Sequence, residues 1–370
     1  MEKKIAILPG DGVGPEVVEQ GVKVLEAIAD RFHHQFTLHY LDIGASAIEK
    51  GGLPLPAKTL EVCQRCDAIL FGAVGDPKYD HRTPGADRPE QGILQLRKKM
   101  GLFSSIRPVR AIPSLLHLSP LKKEKIKNVD FIIYRELTGG VYYGEKGRNA
   151  DGSAYDVTIY HPREIERIAR IAFKQAAKRK GKLTLVDKAN VLETSRLWRE
   201  IVCKMATLFP TVKVDFLHID HAAMQMVLDP QEFDIILTDN LFGDILSDEA
   251  GAISGSVGLL PSVSLGDGTP LFEPIHSSYP QAIGEDVANP IATILSVAMM
   301  MDHFQLYEEA SVIRYKVRHV LEKGIGTAEL HLDTEYSCSQ MGDLIAHLIT
   351  DHYEMHQSIS VMGERVATII

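Results

Sequence analysis

"AILPGDGVGPEV", residues 6–17, sets three glycines in five positions between an apolar run and a stretch of helical character. Its reading decides the fold. A dinucleotide-binding loop of the Rossmann type needs G-x-G-x-x-G, with an acidic residue about 20 positions on to hold the ribose. Gly10, Gly12 and Gly14 give G-x-G-x-G instead, and Pro15 stands where the third glycine belongs. Proline suits the first turn of a helix, and the glycines suit a tight turn before it. The stretch reads as a strand-to-helix turn, with phosphate binding as the alternative. A nucleotide used by this protein has to be held elsewhere.

Composition narrows the rest. At roughly 150 residues per domain, 370 residues predict two domains. An apolar share of 45% supports real cores, and 24% charge is ordinary. A net charge of −9 argues against nucleic-acid and membrane-surface partners, so an anion site must be a local cluster of Arg or Lys. No apolar run approaches the roughly 20 residues of a membrane span. A strand opens within four residues of Met1, so no signal or transit segment is expected and a cytoplasmic location is the default. Cys63 and Cys66 form a lone C-x-x-C in "LEVCQRCDAILF", and they read as plain thiols where a helix runs into a strand.

The apolar pattern is that of an open α/β chain. "KKIAILPG" reads as a buried strand, and Val18, Val22, Leu25 and Ala29 fall on one face of the next helix. "FTLHYL" and "DAILFGAVG" predict strands, residues 76–89 a surface loop, and "GILQLRKKMGLF" a helix. "AYDVTIYH" alternates strictly and predicts a half-exposed strand outside a main sheet. Pro162 opens a helix with Ile165, Ile168, Ala172 and Ala176 inward and a basic end at Gly181. "LTLVD", "VKVDFLHID" and "FDIILTD" predict three strands separated by helices. "NPIATILSVAMMMDHF" predicts an apolar helix whose methionines belong to the core.

Four clusters bear chemistry. In "NLFGDILSDEAG", Asp244 and Asp248 are four apart and share a helical face. A divalent cation would relieve their repulsion, and hard oxygen ligands suit Mg²⁺ or Mn²⁺; the plain alternative is a solvated face. Asp220 in "HIDHAAMQ" is a third carboxylate, at a strand end. Arg97, Arg107 and Arg135 could grip a di- or tricarboxylate through bidentate hydrogen bonds, or be scattered surface charges. Tyr142 and Lys188 offer an acid and a base, Lys188 directly after a buried strand. "EPIHSSYPQAIGEDVANP", residues 273–290, could wrap a ligand or be merely a long loop.

Six segments occur in order across residues 3–350: "LPGDGVGPEV", "PEQGILQLRKKMGLFSSIRPV", "RELTGGVYYGE", "DKANVLETSRLWRE", "TDNLFGDILSDEAG" and "ANPIATILSVAMM". Together they resemble the β-decarboxylating dehydrogenases of 2-hydroxy acids, the isocitrate/isopropylmalate dehydrogenase family. The resemblance implies a two-domain α/β fold that is not a Rossmann fold. Residues 1–102 and 255–370 would form a discontinuous cofactor-binding domain. Residues 103–254 would form the second, dimerising through an arm around "AYDVTIYH".

It also implies roles. Val13 would lie near the nicotinamide of NAD, and the loop 277–289 would hold the adenosine half. Glu90, Asn190, His276, Ser277, Ser278, Gln281, Asp286 and Asn289 complete the cofactor side. Asp244, Asp248 and Asp220 would hold the metal, and Arg97, Arg107 and Arg135 the substrate carboxylates. Lys188 would be the general base and Tyr142 the proton donor. Sites would be shared across a homodimer, one subunit giving the arginines, Tyr142, Asp244 and Asp248, its partner Lys188 and Asp220. Glu90, Ile93 and Leu94, with Val191 of the partner subunit, would face the group at C3. An apolar pocket there favours 3-isopropylmalate and oxidative decarboxylation to 2-oxoisocaproate in leucine biosynthesis. Homoisocitrate, isocitrate or a tartrate-like malate are the alternative substrates, and a non-catalytic subunit is the alternative class.

Departures from the family pattern are local. The cofactor loop reads His276, Ser277, Ser278, Tyr279, Pro280, Gln281 in place of H-G-S-A-P-D, so Gln281 stands where an acid would hold the ribose. Ser105 replaces a usual Asn, Asp76 a usual Gly, and residues 352–370 extend past the usual end.

Overall fold

The computed structural model describes residues 1–81 and 87–351. The extension at 352–370 and part of the expected loop at 76–89 lie outside the described residues. The chain divides into two compact units, each α/β.

The first unit comprises Met1–Met100, Ser256–Val263 and the described residues from Asp267 on. Its strands are β1 (Glu2–Gly10), β2 (Gln35–Tyr40), β3 (Ala68–Ala73), β12 (Leu271–Pro274) and the start of β11 (Pro261–Gly266), in the order β2-β1-β3-β12-β11. Pairings of β1 with β2 and β3, and of β3 with β12, are parallel. Every residue of β3 is buried, the continuous apolar run of a strand covered on both faces. Its helices are α1 (Gly14–Phe32), α2 (Ala45–Glu49), α3 (Ala57–Cys63), α4 (Glu90–Lys99), α10 (Ile291–His303), α11 (Tyr307–Glu322) and α12 (Cys338–Thr350). Ile325–Gly326 (β13) and Thr334–Glu335 (β14) pair separately.

The opening stretch is a strand-to-helix turn, with Pro15 in the first turn of α1. Gly10 and Gly12 both have positive φ, and a Cβ on either would fall 1.9 Å from a carbonyl oxygen, of Ala73 and Ser278 respectively. No other residue fits both the backbone conformation and the space. Met299, Met300 and Met301 of α10 are fully buried core. Cys63 and Cys66 are free buried thiols.

The second unit comprises Gly101–Gly255 and the last residues of β11, Ser264–Gly266. Its strands run β4 (Leu102–Arg110), β5 (Asp130–Glu136), β10 (Ile235–Thr238), β8 (Lys182–Asp187), β9 (Lys213–His218) in spatial order. All of these pairings are parallel except β4 with β5. Helices α5 (Lys123–Ile126), α6 (Pro162–Lys178), α7 (Glu193–Ala206), α8 (Ile219–Leu228) and α9 (Asn240–Ser254) belong to it. Helix α6 begins at Pro162 and buries Ile165, Ile168, Ala172 and Ala176 completely. Its first turn is closed by His161 N–H donating to the Glu164 carboxylate at 2.7 Å.

"AYDVTIYH" corrects the expectation. Only Ala154–Asp156 (β7) is strand, and it pairs antiparallel with Lys146–Arg148 (β6) of the same chain. The alternation then breaks because Tyr160 turns inward: it is buried, meets Trp198 edge to face, and accepts the Asn240 N–H. Among the described residues no helix is long and apolar enough to cross a membrane.

Candidate active site

In a parallel sheet, ligands gather outside the carboxyl ends of the strands. In the second unit that rim holds Arg135 and Glu136 of β5, Asp187 of β8, and Asp239 just past β10. Strand β4 runs the other way, so its Ser105 lies opposite Arg135 in register. Arg107, two residues on, shares the face of Ser105.

Arg135 is almost fully buried and tightly held. Its Nε donates to the backbone oxygen of Asn240 at 2.9 Å and to Asn240 Oδ1 at 3.1 Å, and its Nη2 donates to Oδ1 at 2.8 Å. Its Nη1 donates to Asp244, whose other oxygen accepts from the Tyr142 hydroxyl at 2.8 Å. Arg107 lies 3.7 Å from the same carboxylate and donates from Nε to Ser105 Oγ at 3.1 Å. Gly243 makes this possible: a Cβ there would fall 2.6 Å from Arg135 Cγ, so the stem crosses α9 only over a glycine. Asp239 caps α9 by accepting Phe242 N–H at 2.8 Å, while Glu136 accepts the N–H groups of Thr138 and Gly139 in the turn leading to Tyr142.

The electrostatics follow from burial and neighbours. Burial, then the hydrogen bond to Asp244, pushes the Tyr142 phenol up to about 12, so it keeps its proton. Desolvation and the adjacent Asp244 raise Asp248, one turn further along α9. Such a pair fits a hard divalent cation, which would relieve both penalties.

The structure does not bring Asp220 to Asp244 and Asp248. Among the described residues no three His, Cys, Asp or Glu side chains form a metal-holding group. Asp220, in the first turn of α8, instead pairs with Lys188, which holds its carboxyl below the usual range. Lys188 follows Asp187, itself locked by Arg199 at 2.6 and 3.0 Å. Asn190 and Val191 stand exposed in the following turn, Val191 at 62%.

In the first unit, Glu90, Ile93, Leu94 and Arg97 are spaced along one face of α4. Arg97 donates to buried Glu273 at 2.8 Å. Ile93 is buried at 6% exposure, and Leu94 is the more accessible apolar group of the two. Val13 is also buried: at 1% exposure its side chain packs with Val17, Ala282, Ala288 and Cys338. It contributes its N–H, donated to Ser278 O at 2.8 Å.

The loop 277–289 divides its polar residues between two tasks. Asp286 accepts from the N–H and hydroxyl of Ser339 at 2.8 and 2.6 Å; despite desolvation, the hydroxyl of Ser337 and these Ser339 contacts hold its carboxyl low. Asn289 donates to Glu329 at 2.8 Å and accepts Ile291 N–H, and Gly284 N–H donates to Glu16 at 2.6 Å. Asp286 and Asn289 therefore also serve to pin the loop. Ser277 and Gln281 stay exposed, Glu90 lies over Gly75 near Ser278, and His276 keeps a buried Nε2 with no partner. That orphaned nitrogen, lowered in pKa by burial, fits a nucleotide's polar groups.

Asn240, Gly243 and Glu273 were not found in the sequence. The only available signal was that Asn240 directly follows a strand and opens a helix.

The family model for isocitrate/isopropylmalate dehydrogenase matches residues 4–345. A 3-isopropylmalate dehydrogenase of Bacteroides fragilis is 50% identical over 90% of this chain and 94% of its own. One of Bacillus subtilis is 50% identical over 92% and 95%. Among solved structures, an isocitrate dehydrogenase from Methylococcus capsulatus superposes with a TM-score of 0.85 at 32% identity, covering 94% of this chain and all of its own. A β-decarboxylating dehydrogenase from Thermococcus kodakarensis gives 0.78 at 35%, covering 96% and 98%. A match across nearly the whole chain, with relatives this similar, leaves one conclusion: the chain belongs to the isocitrate/isopropylmalate dehydrogenase family.

Proposed function

We propose that this enzyme catalyses the oxidative decarboxylation of 3-isopropylmalate with NAD⁺ and Mg²⁺ or Mn²⁺, a step of leucine biosynthesis. The convergence of Arg107, Arg135 and the Tyr142 hydroxyl on Asp244 carries the reading. It sets cationic carboxylate grips and a protonated phenol around a metal-type acid. The similar proteins named 3-isopropylmalate dehydrogenase, together with the apolar Leu94, favour that substrate within the family.

NAD⁺ supplies the hydride acceptor and the divalent cation a Lewis acid for the C2 oxygen. Asp244 and Asp248 would hold the cation together with Asp220 of a second copy. Arg97, Arg107 and Arg135 bind the carboxylates and fix C2 and C3. Lys188 takes the hydroxyl proton as C2 is oxidised. After CO₂ leaves, Tyr142, whose raised pKa keeps it protonated until that point, donates its proton to C3. Gln281 accepts from a ribose hydroxyl, and the absence of Lys or Arg from 277–289 disfavours the 2′-phosphate of NADP⁺.

The protein works as a homodimer with shared sites. Lys188 and Asp220 bind one another rather than the Asp244 cluster. The face that fits a second copy is on α8 and α9: Met224, Val227 and Leu228, with Leu241 and Ile245, are large, apolar and exposed. Leu241 and Ile245 alternate along α9 with Asp244 and Asp248, so covering this face brings a neighbour to the metal acids. The expected arm around "AYDVTIYH" already has a strand partner in β6 and supports dimerisation less. Four free thiols accord with a reducing cytoplasm.

NADH formation with Mg²⁺ across 3-isopropylmalate, isocitrate, homoisocitrate and tartrate tests the assignment. We expect 3-isopropylmalate to give the highest kcat/KM; a higher value for isocitrate overturns the substrate.

A further inference from the structure

The candidate carboxylate-gripping arginines are oriented by partners of different charge. Arg97 donates to the carboxylate of Glu273, a full opposing charge. Arg135 is met on Nε and Nη2 by the two oxygens of Asn240, both neutral. Asn240 is itself locked: its side chain is buried, its Nδ2 donates to Gly139 O at 3.2 Å, and its N–H donates to the Tyr160 hydroxyl at 3.0 Å. These contacts leave its amide one orientation, with Oδ1 toward the guanidinium.

We propose that Asn240 is a positioning residue for substrate recognition, fixing the Arg135 guanidinium through a neutral acceptor so that its positive charge stays available to a substrate carboxylate. This rests on the reading of Arg135 as a carboxylate ligand. An aspartate has the same shape and would hold the same fork. In a buried setting, however, its charge would offset that of Arg135 and repel the incoming anion. Asp244 already lies on the Nη1 side, where a divalent cation would draw its charge away. A second carboxylate on the opposite side would have no such relief.

The test compares Asn240→Asp with Asn240→Ser for kcat and for KM of both substrates. Both variants lose the bond to Gly139; they differ in charge and in size. A packing role makes the smaller serine the more damaging, whereas the proposed role makes the isosteric aspartate so. We expect N240D to raise KM for 3-isopropylmalate by about tenfold or more, as for one lost charge-assisted hydrogen bond. N240S should raise it less, and KM for NAD⁺ should stay within about twofold in both, since NAD⁺ meets the other unit's loop. N240S impaired as much as N240D, or KM for both substrates rising together, overturns the proposal. Should N240D fail to fold, an unchanged KM for 3-isopropylmalate in N240S overturns it alone. Arg135→Ala separates the two levels. An unchanged KM there overturns the reading of Arg135 itself, while a raised KM beside a normal N240D overturns only the role of Asn240.

Discussion

The two units place their chemistry by different means. In the second, the candidate site is built of side chains gathered at one rim of the sheet: Arg107 of β4, Arg135 of β5, Tyr142 of the turn that follows and Asp244 of α9 engage one another through guanidinium, phenol and carboxylate groups. In the first, the loop 277–289 is set by backbone: Val13 N–H donates to Ser278 O, Gly284 N–H to Glu16, and Cys338 N–H to Asp286 O. Polar side chains proposed as cofactor ligands there, Asp286 and Asn289, also fasten the loop. Residue type is thus the better guide where side chains converge on one rim of a sheet. It is a weaker guide where a long loop must first be pinned, because an irregular segment needs partners for its own buried polar groups.

The largest expected effect sharpens this contrast by asking whether the second unit's site is complete in one copy. Arg107→Ala and Lys188→Ala should each be inactive as homodimers. Unfolded and refolded together, about half the dimers form mixed, each with one intact site, so activity should recover to about a quarter of wild type. Mixed dimers that demonstrably form and stay inactive would place Lys188 in its own chain's site.

A smaller effect is expected in the first unit. Asp286→Ala removes a carboxylate that accepts two bonds from Ser339, each of the charge-assisted kind worth about 1.5–3 kcal/mol. KM for NAD⁺ should rise by about tenfold with KM for 3-isopropylmalate unchanged. Both constants moving equally would break the comparison, because the loop would then serve the whole enzyme rather than the nucleotide.

The smallest effect is one of pH. Burial raises the Asp239 carboxyl to about 7, with Glu136 and Asp187 adding to it against Arg135. The folded protein therefore holds a proton that the unfolded chain, with an ordinary carboxyl, gives up at lower pH. Stability falls as pH rises from the usual carboxylate range to about 7 and is level above. Asp239→Asn keeps the acceptor for Phe242 N–H and removes the titration. Its Tm should match wild type near pH 4 and exceed it by roughly 2–4 °C at pH 8. An equal gap at both pH values would show that Asp239 does not carry that proton.

Much of this was legible in advance. The strands at 68–73 and 235–238, and the Ile5–Leu8 part of the first strand, announce themselves as continuous apolar runs, because a strand covered on both faces has no polar side to show. Asp244 and Asp248 could be paired from their spacing alone, since four residues is about one helical turn. "AYDVTIYH" failed for a complementary reason. Its alternation is local, and the pull of Tyr160 into the space beside Trp198 and Asn240 is not. The apolar face of α8 and α9 escaped notice because their inward residues, Ala222, Met226 and Leu246, are apolar too. Hydrophobicity alone does not say which of two apolar sides the core has taken.

Local chemistry therefore suffices for the α/β class, the turn that is not a Rossmann fingerprint, the family motifs, and the residue types able to bind a carboxylate, a cation and a proton. All of these depend on neighbours within one or two turns of chain. Tertiary structure alone decides that Asn240 orients Arg135 across 105 residues, that Gly243 clears the path for its stem, that Glu273 meets Arg97, and that Asp286 also pins its loop. Those assignments depend on which hydrogen-bonding groups are left facing one another once the sheets have closed, and burial obliges each to find a partner wherever in the chain it lies.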